Sequence, residues 1–253
     1  FCLRYFDKVV TTSPVLQKLL QAKSPKMQAI YVLPCNLPRE LETAATTSAL
    51  DKLSLLDQCP HIDHGSPGFV QGLRVIVIGR LDTYKRLDRV MESLALVCKH
   101  IPGGAPGVRL DIVGDGPYRD VLECLSHSLL PGRVTFHGRL SEQMKLNLLA
   151  QSDVLVLPSF DCNEAFGIVQ LEAMASAVPS LAFLIHKSGA HWVSNIPELD
   201  WTGYPRDLVP MLITLYSNYT LLRTASEGSF WRYCNEFSLR VWNRSFDDIF
   251  PLT

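Results

Sequence analysis

The sequence predicts an α/β protein: a parallel sheet with helices on both faces, followed by a helical tail. Three observations predict it. Short apolar runs alternate with helical patterns from Leu73 to Leu184, and such alternation requires crossovers between parallel strands. The runs Arg74–Gly79 and Val154–Leu157 are nearly continuous in apolar residues, as expected of strands covered on both sides. After Ser194 the apolar spacing becomes three to four residues, and no sixth strand is evident.

Taken in order, Asp7–Ser13 reads as a short strand ending in a polar cap, and Pro14–Leu20 as a helix with proline in its first turn. Ala29–Pro34 reads as a second strand. From Pro38 to Gln71 Thr, Ser, Ala, Pro and Gly alternate with scattered charges, which predicts a long connecting segment with one helical turn near Leu50–Leu56. The strand Arg74–Gly79 then leads to a helix over Arg86–Lys99, and Leu110–Gly114 to a helix over Pro117–Leu129. Arg133–Gly138 leads to a helix over Glu142–Gln151, capped by Ser141. The run Val154–Leu157 opens a helix predicted over Ala165–Ser176, and Val178–Leu184 is the fifth strand. Helices are predicted over Leu208–Leu215 and Leu221–Phe237. The aromatics Phe230, Trp231, Tyr233 and Phe237 in the second are expected to pack the terminal helices together.

The chain has 253 residues, 47% hydrophobic and 19% charged, enough for one large or two small domains. Its net charge of −1 gives no electrostatic reason to expect a nucleic-acid partner. Seven cysteines without a CxxC pair favour reduced thiols and a cytoplasmic setting, or the cytosolic face of a membrane. On that ground the sequons at Asn218 and Asn243 read as chance matches. No apolar run approaches the ~18–20 residues that span a bilayer. The chain starts with Phe1, so it reads as a fragment or processed piece.

In a parallel sheet, ligands bind beyond the carboxyl ends of the strands, so the informative loops follow strands. Pro158–Ala175 places Glu164 before the predicted helix and Glu172 eight positions on. Between them Ala165, Phe166 and Gly167 are expected to offer backbone N–H groups at a helix start, an anion site. Ionised carboxylates are acceptor-only and suit vicinal diols. A ligand both phosphorylated and polyhydroxylated, a nucleotide-sugar, fits the combination. Gly79–Arg86 adds Arg80 and Lys85 in one loop. Alone they read as solvated cations; beside an anion site on the same rim they read as phosphate ligands. Gly114, Asp115 and Gly116 form a tight turn whose glycines allow close backbone approach to a ligand. Cys59, His61 and His64 do not make a complete zinc set, so no metal site is expected. His186 and His191 read as ordinary loop histidines.

These elements resemble those of retaining nucleotide-sugar glycosyltransferases of family 4, which have the GT-B fold. The resemblance is carried by Gly79–Lys85, Ile112–Pro117, Val134–Gly138 and the Glu-x7-Glu stretch Glu164–Glu172, in family order. It implies that residues 73–194 form a Rossmann-like donor-binding domain, 1–37 a remnant of the N-terminal acceptor domain, 38–72 a linker or insertion, and 195–253 C-terminal helices. Arg80 and Lys85 would hold the donor diphosphate, and Glu172 the ribose hydroxyls. Glu164 would contact the transferred sugar, with Phe166 and Gly167 N–H groups beside it. His137–Leu140, with Gly138, Arg139 and Leu140 as the contacts, would lie near the base. The implied reaction moves a hexose, with mannose and glucose the candidates, from a UDP- or GDP-sugar to a hydroxyl of a carbohydrate or lipid-linked acceptor. It implies no cofactor and no metal, since the cations and the helix start neutralise the phosphates.

Several positions depart from the family pattern. Arg86 and Ala177 stand where glycine is usual, and the Gly-Gly-x-x-Glu region is reduced to Ser188–His191. The resemblance implies that most of the acceptor domain is missing, so the chain alone is expected to turn over poorly. The competing reading is a non-catalytic nucleotide-sugar-binding subunit or scaffold that needs a partner chain.

Overall fold

The computed structural model describes residues 7–25, 29–57, 72–160 and 164–251. The run Cys59–His64 lies outside the described residues. The first unit is a parallel pair, β1 (Val9–Thr11) and β2 (Ile30–Val32), joined by α1 (Pro14–Lys23). Ser13 caps α1 by accepting the Leu16 N–H, and Pro14 occupies the first turn where no N–H is needed.

Next comes α2 (Arg39–Asp57), a single helix of 19 residues. This corrects the expectation of a connecting segment with one helical turn. The apolar signal was weak because α2 packs through small residues: Ala45 and Ala49 are fully buried, and the helix lies against others downstream. Its threonines do not break it. Thr43, Thr46 and Thr47 each donate to the carbonyl four residues back, at 2.8–2.9 Å.

The main sheet alternates with helices in the predicted order. It runs β3 (Leu73–Ile78), α3 (Leu87–His100), β4 (Val108–Val113), α4 (Arg119–Leu129), β5 (Val134–Gly138), α5 (Glu142–Ala150), β6 (Val154–Leu157), α6 (Val169–Ala175), β7 (Ser180–Ala182) and α7 (Ala190–Val193). The tail comprises α8 (Leu208–Ser217), α9 (Tyr219–Arg232), a π-helical turn at Tyr233–Phe237 and α10 (Leu239–Ile249). Asn218 of the first sequon caps α9, accepting the Leu221 N–H at 2.9 Å. The five strands are all parallel, in the order β5-β4-β3-β6-β7.

That order reverses between β3 and β6, and the fold's binding crevice opens at such a switch point. Side chains alternate accordingly. Val75 and Val77 enter a core with α3, α4 and α8, while Ile76 and Leu155 enter a second core with α2, α5, α6, Tyr233 and Phe237. The aromatic cluster is thus mostly internal, with Tyr233 and Phe237 buried; Trp231 remains 66% exposed.

The tail and α2 are tied by one carboxylate. Glu42 Oε1 accepts the Tyr233 hydroxyl (3.1 Å) and the Leu239 N–H at the start of α10 (2.9 Å). Burial and the nearby Glu42 push the Tyr233 phenol well above its usual range, so it stays a donor. Glu42→Ala should leave both donors without that acceptor and destabilise the protein by about 1–3 kcal/mol, read as a lower urea midpoint. A midpoint unchanged in that variant would show that the tie contributes nothing.

Candidate functional site

The turns after β3 and β4 are locked backbone to backbone. The Gly79 N–H donates to Val113 O (2.9 Å), Leu81 N–H to Asp115 O (3.0 Å) and Tyr118 N–H to Leu81 O (3.1 Å). Gly114 has φ +127°, and a Cβ there would stand 1.9 Å from the Gly79 carbonyl oxygen; one on Gly116 would stand 2.2 Å from that of Leu81. The close approach shown by these glycines is therefore to the neighbouring turn. Gly138 extends the series, accepting the Gly114 N–H at 2.7 Å. Beyond it Arg139 is exposed and Leu140 packs against the second core.

Within this frame the two cations differ. Asp82 caps a 3-10 turn at Thr83–Lys85, accepting the Thr83 N–H at 2.7 Å. Lys85 leaves that turn with its side chain only 15% exposed, forms an ion pair with Glu164, and lies over the Tyr84 ring at 5.3 Å. The same Glu164 oxygen accepts the Ser159 hydroxyl at 3.1 Å. The structure thus brings together one residue following β3 and one following β6, at the switch point. Arg80 is 66% exposed and stands 3.4 Å from Asp82, on the solvent side of the same turn. Arg86 takes the left-handed conformation (φ 50°) that its glycine-like position demands. Its guanidinium is spent on three hydrogen bonds to Asp88 at 2.9–3.2 Å.

The helix after β6 begins at Val169, not at Ala165. Gly167, at φ +74°, interrupts the backbone, and its carbonyl accepts the Gln170 N–H at 2.9 Å. The expected donors Ala165, Phe166 and Gly167 therefore lie in a turn ahead of the helix. That turn is held from three sides. Phe166 is buried edge-on against Trp192 and Phe237, with centroids at 6.5 and 6.3 Å. The fully buried Gln170 amide donates to Phe166 O (2.9 Å) and Ala190 O (3.1 Å). The Ser188 hydroxyl bonds to the Glu164 carbonyl, and the Gly189 N–H donates to Ala165 O at 2.9 Å. The reduced Ser188–His191 segment is thus what fastens the loop.

Starting α6 later also puts Glu172 in its first turn, where the helix dipole favours an acid. Glu172 is 7% exposed. Burial raises its carboxyl above the usual range, and Lys145 of α5 opposes the rise from 2.7 Å. Lys145 also reaches Glu142 at 2.8 Å. Burial alone would lower its ammonium, but the bonds to Glu142 and Glu172 raise it overall. Sequence reasoning missed Lys145, Ser159, Gln170 and Ser188. Ser159 and Gln170 lay in the informative stretch Pro158–Ala175 and Ser188 in the shortened motif, but none had a role assigned, and Lys145 carried no signal at all.

Other candidates fall to structural roles. His191 Nδ1 lies 3.2 Å from Ala182 O and fills the space over Gly203, while His186 is exposed. His137 Nε2 lies 2.7 Å from the buried Asp111. Among the described residues no three His, Cys, Asp or Glu side chains are placed to share a metal ion, and no helix is long and apolar enough to cross a membrane.

A family model described as Glycosyl transferases group 1 matches residues 65–194, just over half of the chain. An exopolysaccharide phosphotransferase of Streptomyces coelicolor is 27% identical over 246 residues, 91% of this chain and 24% of its own length. A sulfoquinovosyl transferase of Arabidopsis thaliana is 33% identical over 108 residues, 43% of this chain and 19% of its own. A GDP-mannose-dependent phosphatidylinositol monomannoside mannosyltransferase of Mycobacterium tuberculosis is 33% identical over 115 residues, 43% of this chain and 29% of its own. The chain therefore spans about a quarter of the length of these relatives. Among solved structures, HepE of Anabaena in complex with UDP superposes with a TM-score of 0.74 at 21% identity, over 98% of this chain and 64% of that one. The glycosyltransferase WaaG superposes at 0.67 and 19%, over 97% and 63%.

Proposed function

The chain belongs to the glycosyl transferases group 1 family, and from that premise we propose that it is the donor-binding half of a retaining hexosyltransferase using a UDP- or GDP-sugar. The observation that carries this reading is the contact of Lys85 with Glu164 across the switch point. An ammonium has three donors, so Lys85 can hold Glu164 and still bind diphosphate oxygens. Glu164 then sits where a sugar joined to that diphosphate would lie, beside the N–H groups of Phe166 and Gly167. Glu172 receives the ribose, with Gly138, Arg139 and Leu140 toward the base.

The chemistry follows from these positions. The bond between the anomeric carbon and the diphosphate oxygen breaks, and its electron pair stays on the oxygen. The sugar becomes oxocarbenium-like while negative charge grows on the leaving group, where Lys85 and Arg80 stabilise it. An acceptor hydroxyl attacks from the face being vacated and passes its proton to the departing diphosphate, so configuration is retained. No metal or cofactor enters this scheme. The acceptor side would be supplied by a further domain over β1 and β2. Val10 and Tyr31 on that pair are each 36% exposed, and a two-stranded sheet holds little by itself.

Calorimetric titration with UDP, GDP and ADP tests the proposal. One of the three should bind, and Arg80→Ala should weaken it by about 1.5–3 kcal/mol, the value of a charge-assisted contact. The exposure of Arg80 puts the expectation at the lower end. Absence of binding by all three nucleotides would overturn the donor reading, and undiminished affinity in the variant would remove Arg80 from the site.

A further inference from the structure

We propose that Lys145 is the positioning residue for the nucleoside end of the donor: it fixes one oxygen of Glu172 so that the other is presented to the ribose hydroxyls. The inference rests on the donor reading given above and adds a residue to it. Its basis is geometric. The Glu172 side chain is 9% exposed and that of Lys145 12%, and the two meet at 2.7 Å through Oε2. Oε2 is the enclosed oxygen, with essentially no accessible surface, and the ammonium meets it as an ion pair rather than as an aligned hydrogen bond. A ligand can therefore reach Glu172 only through Oε1.

Lys145 arrives at this contact from a different helix, and it is itself steadied by Glu142, whose side chain is 66% exposed and 2.8 Å away. The arrangement is a three-membered relay from solvent to crevice: exposed acid, enclosed ammonium, enclosed acid. Among the described residues, Lys145 and Glu142 are the charged groups that act on the Glu172 carboxyl.

The pair solves a definite chemical problem. An ionised carboxylate accepts a hydroxyl about twice as strongly as a protonated one, so recognition through Oε1 favours the charged form. Burial works against ionisation at this depth. A buried carboxylate without a partner takes up a proton. Lys145 supplies the compensating charge from behind, on the side away from the ligand, without occupying the oxygen that does the recognition.

The test compares the nucleoside diphosphate that binds, its 2′-deoxy analogue and inorganic pyrophosphate, titrated against wild type, Lys145→Met, Lys145→Arg and Glu172→Gln. Methionine keeps the stem and removes the charge. Wild type should prefer the ribonucleotide by about ten- to a hundredfold, the effect of a hydroxyl bonded to a charged group. Lys145→Met should bring that ratio close to one while leaving pyrophosphate affinity unchanged, and Lys145→Arg should restore most of it. In Lys145→Met the Glu172 carboxyl loses its cation, so its pKa rises further. The lost discrimination should then return as pH is raised, whereas a merely structural lysine predicts no such recovery. If Lys145→Met does not fold, Lys145→Gln takes its place in every arm. Discrimination kept in the lysine variants but lost in Glu172→Gln would overturn the role of Lys145 and leave the ribose contact standing. Discrimination kept in Glu172→Gln as well would overturn the ribose contact and the inference with it.

Discussion

Lys85→Ala should lower release of nucleoside diphosphate from a nucleotide-sugar donor by about 10²–10³-fold, the scale seen when one preorganised electrostatic donor is removed from an active site. Two consequences of the substitution add together. The ammonium nearest the switch point disappears, and with it the charge that, on the proposed mechanism, would offset the growing negative charge of the leaving group. Because that charge develops along the reaction, the loss should fall mainly on kcat, with a smaller change in KM. Glu164, 13% exposed, also loses its ion pair and, among the described residues, keeps the Ser159 hydroxyl. A carboxylate released from that ion pair is no longer held toward the sugar it is proposed to contact. Lys85→Arg should rescue poorly, since a planar fork does not replace a point charge on a flexible stem. Steady-state kinetics of the two variants beside Glu164→Gln make the check. A Lys85→Ala enzyme with wild-type kcat would remove this residue from the chemistry.

Gly114→Ala should destabilise the protein by about 3 kcal/mol or more, the range of severe backbone conflicts, and can prevent folding altogether. The new Cβ would stand 1.9 Å from the Gly79 carbonyl oxygen, at a backbone angle (φ +127°) that side chains rarely adopt. The obstructing atom is main chain, so no rotamer change relieves the clash. Gly132→Ala separates the two contributions: it also has positive φ (+70°), but nothing lies within 4 Å of its added Cβ. Its cost should be the conformational part alone, about 1–2 kcal/mol. Urea denaturation of both variants gives the comparison, and equal losses would show that the packing between the turns is looser than described.

The regular half of the fold was legible because each crossover carries its own punctuation: an apolar strand, a glycine-bearing turn, then a helix. Legibility failed where burial is achieved without large apolar side chains. Ala45 and Ala49 of α2 leave almost no hydrophobic period, so a 19-residue helix read as a connection. The start of α6 was misplaced for another reason. Ala165 and Phe166 are good enough helix formers, but Gly167 takes a positive φ and Phe166 is drawn into the second core. In the site, Lys85 and Glu164 could be found because both follow strands at the switch point. Lys145 could not. It lies inside a helix with no motif around it, and only the packing of α5 against α6 brings it to Glu172.

The hydrogen bonds that run from Val113 to Gly79 and from Gly138 to Gly114 have a practical corollary for retargeting this protein. The three crevice turns form one continuous ledge of main chain, so lengthening any of them would dislodge its neighbours. Exposed Arg139 projects from that ledge toward the proposed base position and can be exchanged without disturbing it. A library confined to such protruding positions should alter which nucleotide is preferred while every member still folds, whereas one that inserts residues should yield mostly insoluble protein.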